Sequence, residues 1–210
     1  MSVLAPAQRA RFRVCAPRRA SQGVRANRCR NRLAAVLIVL AAADAAGADQ
    51  VRVEAHREGE AVIVEAHASL HADLGIAWNV LTGYDRYAQF IPDLTSSRVL
   101  SRSGSDVVVE QKGQLGFLVF RLPVEVTMTV SERPQTGINS RAIAGTFREM
   151  TGSYTLAQAG DDLQLTYSGR MVPRFGLLSL MGTAAVKAAV EKQFGALVRE
   201  MQTRAALPEK

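Results

Sequence analysis

The chain's single tryptophan and four tyrosines are the residues best suited to chemistry. Trp78, Tyr84 and Tyr87 fall in residues 76–92, where Leu81 and Phe90 complete a run of large apolar groups spaced three apart. Tyr154 and Tyr167 lie further along, each beside apolar residues at alternate positions. A ring that carries an indole N–H or a phenol O–H can build an apolar wall that still offers hydrogen bonds. The chemistry this suits is recognition: enclosing a hydrophobic molecule while a hydroxyl orients one of its carbonyls or ring hydroxyls. The same rings can also pack as plain core with their hydroxyls on backbone carbonyls. Spacing alone leaves both readings open.

Other kinds of chemistry find less support. After residue 48 the histidines are His56, His67 and His71 and there is no cysteine. His67 and His71 are four apart in strand or strand-end sequence, not on a helix of the HExxH type, so no metal site is expected. No Gly-x-Ser-x-Gly motif occurs, and Ser153 and Ser168 sit in ordinary strand pattern. The pair Gly113 and Gly116 opens a strand and not a helix, which removes the phosphate-cradling geometry. Arg141, Arg170 and Glu125 alternate out of phase with their apolar neighbours and are expected in solvent. Acid–base catalysis would need a titratable pair in an interior register. None can be nominated, so no catalytic residue and no cofactor is expected.

These aromatics must be positioned by elements that the hydropathy pattern defines. Residues 51–55 and 61–70 alternate as strands around a turn at 57–60. Asp73 is placed to cap a helix that carries the aromatic run until Pro92 disfavours helical backbone at Ile91. Strand patterns then occupy 97–100, 107–112, 117–132, 138–143, 153–157 and 163–171, separated by turn residues such as Pro134, Gly137 and Gly160. From 177 to about 204 apolar residues recur at three- and four-residue steps, which predicts one long amphipathic helix. This order specifies an α+β layer. A curved antiparallel sheet of about seven strands grips a long C-terminal helix, with short helices after the first strands. The space between sheet and helix is either filled or left as a cavity.

Charge divides the chain sharply. Residues 1–48 contain nine arginines and one acid, Asp44, so the remainder holds 17 of the 26 basic and 18 of the 19 acidic residues, a net charge of −1. Near-neutrality there removes the nucleic-acid partner that a net charge of +7 would suggest. The arginine-rich segment, the apolar run 33–43 and the small residues Ala46, Gly47 and Ala48 follow the order of an export signal. The expected organisation is a leader over 1–48, cleaved before Asp49, and a single domain over 49–210, exported to a periplasm or the medium. An uncleaved leader acting as a membrane anchor is the alternative, although its apolar run is short for a span of roughly 20 residues. Cys15 and Cys29 both belong to the leader.

The element order closely resembles the START-like helix-grip superfamily (SRPBCC), and in particular its polyketide cyclase/dehydrase and coenzyme Q-binding branch. The residues that carry the likeness are Trp78, Leu81, Gly83, Tyr84, Tyr87, Phe90 and Pro92, then the strands around Tyr154 and Tyr167, Pro173, and the closing stretch from Phe194 to Met201. The likeness covers about residues 60–204. It implies a hydrophobic or aromatic-lipid ligand, a lipid, quinone or polyketide-like molecule, held between sheet and helix. Trp78, Tyr84, Tyr87 and Phe90 would form the helical wall, Tyr154, Tyr167 and Met171 the sheet wall, and Leu178, Met181 and Phe194 the lid helix. The apolar stretch that begins at Phe175 and ends at Gly182 either buries the start of the last helix or, as a gate by the cavity mouth, makes a transient membrane contact, and the protein is expected to act as a monomer. A cyclase or dehydratase acting on a polyketide-like or aromatic substrate is the alternative function.

Overall fold

The computed structural model describes residues 51–117, 120–174 and 177–207; the side chains of Phe117, Phe120 and residues 177–181 are not among what it describes. The segment 1–48 expected to be a leader, with both cysteines, the side chains of Leu178 and Met181, and most of the 175–182 stretch therefore lie outside the described residues.

Strict alternation builds most of the strands. In β2 (Ala61–Leu70), Val62, Val64, Ala66, Ala68 and Leu70 are all buried, while Glu65 and His67 between them are exposed. A second hydrophobic ladder comes from β8 (Asp162–Pro173), which buries Leu163, Leu165, Tyr167 and Met171. Between them in sequence run β3 (Leu94–Ser103), β4 (Asp106–Phe117), β5 (Phe120–Arg133), β6 (Gly137–Gly145) and β7 (Phe147–Ala159), with β1 (Arg52–Glu58) leading the domain. All pair antiparallel, in the order β1-β2-β8-β7-β6-β5-β4-β3. The sheet thus has eight strands, where about seven were expected from the pattern. Register shifts near Ser96 and Ser101 interrupt alternation in β3, so its full length is poorly marked in the sequence.

The helices differ from expectation in two places. Asp73 does cap α1 (Leu74–Leu81), accepting from the Gly75 N–H at 2.7 Å and the Ile76 N–H at 3.3 Å. The aromatic run, however, is not one helix. α1 ends at Thr82, whose hydroxyl donates to the Trp78 carbonyl at 2.8 Å, and Gly83 leaves helical geometry (φ −78°, ψ 50°). A single 3₁₀ turn (Tyr84–Arg86) follows, then the short α2 (Tyr87–Phe90). The break falls at Gly83, and of the three-residue steps only Tyr84 to Tyr87 spans the 3₁₀ turn, while Trp78 to Leu81 and Tyr87 to Phe90 lie in α1 and α2. A strict three-residue repeat drifts around an α-helix of 3.6 residues per turn, but it stays aligned in a 3₁₀ turn of three. The second departure is in α3 (Leu177–Ala205), which breaks at Gly182 (φ 67°, ψ 170°), a conformation glycine adopts without a Cβ penalty.

The grip follows from which elements α3 touches. It packs on β1 and β2 at one end of the sheet and on β4 near the other, so the sheet bends around it. α1 also packs on α3, and the core of Leu70, Leu81, Leu165, Phe194 and Leu197 lies between the two layers.

Candidate functional site

Two chambers lie between the sheet and α3. The outer one, about 130 Å³, runs from Leu115 and Val124 on the β4–β5 hairpin to Val186 and Val190 on α3, with Phe147, Met171 and Phe194 in its wall. The inner one, about 120 Å³, is lined by Tyr84, Tyr87 and Ile91 from the helical region and by Met128, Val130 and Ile138 from the sheet. Leu94, Gln111, Met150, Tyr154, Tyr167 and Gln193 line both and so form the boundary between them.

Local structure explains each tyrosine's place. Tyr154 and Tyr167 are directly opposed partners on β7 and β8, with ring centroids 4.7 Å apart. Neither hydroxyl has a hydrogen-bond partner among the described residues, and no fully buried polar side-chain atom there lacks one. Neither hydroxyl oxygen is therefore fully buried, and both residues line the two chambers. Burial raises the Tyr154 hydroxyl well above the ordinary phenol range, with further contributions from Tyr167 and Tyr87, and it raises Tyr167 to about 12. At neutral pH both are hydrogen-bond donors and not bases.

The helical-side tyrosines are anchored instead of free. The Tyr87 hydroxyl donates to the Leu81 carbonyl at 2.5 Å, satisfying a group that the end of α1 would otherwise orphan. The Tyr84 hydroxyl donates to Glu132 Oε1 at 3.0 Å, and Arg102 Nη1 donates to Glu132 Oε2 at 2.8 Å. Glu132 continues the inward register of Val126, Met128 and Val130 to the end of β5, where Tyr84 covers it. Burial first, and then the Glu132 carboxylate, hold the Tyr84 hydroxyl far above its usual range. Tyr87 meets Tyr84 edge-on at 5.8 Å and Phe90 at 5.7 Å, which braces the short helical turns.

Of the residues nominated from the sequence, Tyr84 and Tyr87 line the inner chamber, Met171 and Phe194 the outer one, and Tyr154 and Tyr167 both. Trp78 and Phe90 pack half-buried against the core and are not among the lining residues. Arg141, Arg170 and Glu125 are exposed; Arg170 pairs with Glu149 at 2.8 Å and Glu125 with Lys112 at 2.7 Å. Among the described residues no three His, Cys, Asp or Glu side chains cluster as metal ligands.

Sequence reasoning passed over several lining residues. Gln111 extends the inward alternation of Val107 and Val109, and Met150 shares a face with Tyr154 and Leu156. That periodicity was the signal that could have found them. Gln193 faces both chambers from α3, next to Phe194. Asp93, at the outer chamber, takes a left-handed backbone (φ 64°) and forms an ion pair with Lys192 of α3. No periodic pattern marks it. The lining is thus apolar in bulk, with two phenols that lack a partner among the described residues, the primary amides of Gln111, Gln114 and Gln193, the Ser140 hydroxyl, and one carboxylate that already has its counter-ion.

Known proteins place this architecture. The family model described as "Polyketide cyclase / dehydrase and lipid transport" matches residues 70–201. No curated protein matches the chain. Among solved structures, the STAR-related lipid transfer protein from Xanthomonas axonopodis superposes with a TM-score of 0.60 at 15% identity, covering 74% of this chain and 96% of its own. The Zhui aromatase/cyclase from Streptomyces sp. R1128 gives 0.58 at 18% identity, covering 69% and 93%. A START superfamily protein from Mycobacterium smegmatis gives 0.59 at 13% identity, covering 68% and 98%. At such identities these likenesses establish the helix-grip fold alone. The match over 70–201 establishes more: the chain belongs to the polyketide cyclase/dehydrase and lipid transport family.

Proposed function

We propose that the protein is an exported, monomeric, single-domain binding protein that holds a hydrophobic or aromatic-lipid ligand between the sheet and α3. Its leader would be residues 1–48 and its domain 49–210. One observation carries the ligand reading. The hollow is walled mainly by apolar side chains, yet Tyr154 and Tyr167 line it with hydroxyls that have no partner among the described residues. Pockets for small hydrophobes have this make-up, an apolar lining with a few polar groups that set orientation. A phenol left without a bond away from bulk water costs stability, so a ligand oxygen that accepts from it gains more than the contact area alone would provide.

The alternative, a cyclase or dehydratase, would have to place proton transfer on Tyr154, Tyr167 or the Tyr84–Glu132 pair. Burial makes these phenols reluctant acids, which favours binding over catalysis. Solvent extraction of the purified full chain followed by mass spectrometry tests the reading. A co-purifying hydrophobe, or saturable uptake of added hydrophobes lost in Tyr154→Trp, supports it. A protein that carries none and takes up none overturns it. Export is checked separately by fractionation and N-terminal sequencing, with Asp49 expected as the first residue of the exported form.

A further inference from the structure

We propose that Tyr154 is the partition that limits the hollow to one-ring ligands, and that Gly169 is the recess that keeps Tyr167 from filling what remains; this rests on the ligand-binding reading above. The two tyrosines start from opposed positions on adjacent strands, yet they behave differently. Tyr167 leans along β8 and lies flat on the sheet. A Cβ built on Gly169 would overlap its hydroxyl and stand 2.7 Å from its Cζ, and one built on Gly152 would stand 3.2 Å from its Cε2. Gly152 and Gly169 are themselves cross-strand partners, so the floor is bare across two strands and Tyr167 occupies it. Tyr154 has no such recess. It rises from the sheet toward α3, its ring within 8° of parallel to Phe194 at a centroid distance of 6.4 Å. Standing there, it contributes to the walls of both chambers.

The volumes give this consequence. An apolar void of about 150 Å³ accommodates a benzene ring, whereas pockets for drug-sized molecules run to roughly 300–1,000 Å³. Chambers of about 130 and 120 Å³ each match one ring. Fused three-ring molecules fit only if the wall between the chambers is removed. The ligand class is therefore a single ring bearing an oxygen that accepts from Tyr154 or Tyr167, with any substituent short enough to share the chamber or pass the partition.

Two substitutions push the hollow in opposite directions. Tyr154→Ala removes the wall and merges the chambers. Gly169→Ala places a methyl group where the Tyr167 ring lies; the ring, as the free end of a side chain, lifts into the chambers. Equilibrium dialysis of the full chain with para-cresol and with hydroxyanthraquinone reads the effect, with circular dichroism and thermal unfolding to verify folding. Wild type should take up para-cresol and discriminate against hydroxyanthraquinone. In Tyr154→Ala the preference should shift toward hydroxyanthraquinone by about tenfold or more, equivalent to about 1.4 kcal/mol. Gly169→Ala should lose para-cresol by a similar factor. Tyr154→Leu serves if the alanine variant does not fold, and Tyr154→Phe should keep the size limit while losing the hydroxyl. Hydroxyanthraquinone binding that is equally tight in wild type and in the shortened variants overturns the partition and leaves the binding function standing. Failure of every folded form to bind either probe overturns the one-ring ligand class, and the binding function falls with it only if solvent extraction also recovers no hydrophobe.

Discussion

All four tyrosines of the chain, 84, 87, 154 and 167, belong to the chamber walls, so their ionisation reports on the site and nothing else. Raising the pH is then a perturbation aimed at the hollow. Burial raises every one of these phenols above the ordinary value of 10, with Tyr167 at about 12. A phenol whose folded value exceeds its unfolded value favours folding fully below pH 10. That contribution is lost as pH climbs from the unfolded toward the folded value, because the unfolded chain releases the proton first. For Tyr167 the rise from 10 to about 12 corresponds to on the order of 3 kcal/mol. The other three are raised as well, so their contributions are lost in the same direction as pH climbs. The domain should therefore unfold before its inner tyrosines ionise in place. Tyrosinate difference absorbance and far-ultraviolet circular dichroism, followed together above pH 10, should show one coincident, cooperative transition. Tyrosines that titrate near pH 10 with the circular dichroism unchanged would refute the argument, since the phenols would then be in contact with bulk solvent.

Three further outcomes follow from the same geometry. Tyr87→Phe removes the donor to the Leu81 carbonyl and should cost about 1–3 kcal/mol in urea unfolding; a change within error would mean water replaces the bond. A double-mutant cycle of Tyr84→Phe with Glu132→Ala should return a coupling of at least about 0.5 kcal/mol, while additive losses would show that the 3.0 Å bond contributes nothing. Asp73→Ala strips the two N–H bonds that start α1 and should cost about 1 kcal/mol in the same assay, with Asp73→Asn close to wild type.

Much of the architecture is legible from local pattern. Alternation in 61–70 and 163–171 marks two strands and their buried faces, because side-chain direction in a strand depends only on parity. The same parity puts Arg141, Arg170 and Glu125 outside. It fails where parity itself breaks, as in the irregular β3, and where one pattern fits two geometries. The three-residue aromatic spacing suits both a rough helical stripe and a 3₁₀ turn. The choice falls at Gly83, where the Thr82 and Tyr87 hydroxyls bond back to the backbone of α1. Gln111 and Met150 were within reach of the alternation argument, but an apolar filter overlooks a glutamine.

Order, parity and composition in the chain alone thus determine the strand faces, the cap at Asp73, the α+β grip and the charge boundary near residue 48. The tertiary structure alone decided which aromatics border empty space. Tyr154 and Tyr167 are indistinguishable by sequence criteria, two tyrosines in matching registers of paired strands. One lies flat because Gly152 and Gly169 meet beneath it, and the other stands because Phe194, forty residues further along, approaches from α3. A side chain's face is set by its own backbone, but the volume left beside it depends on residues brought from elsewhere in the chain.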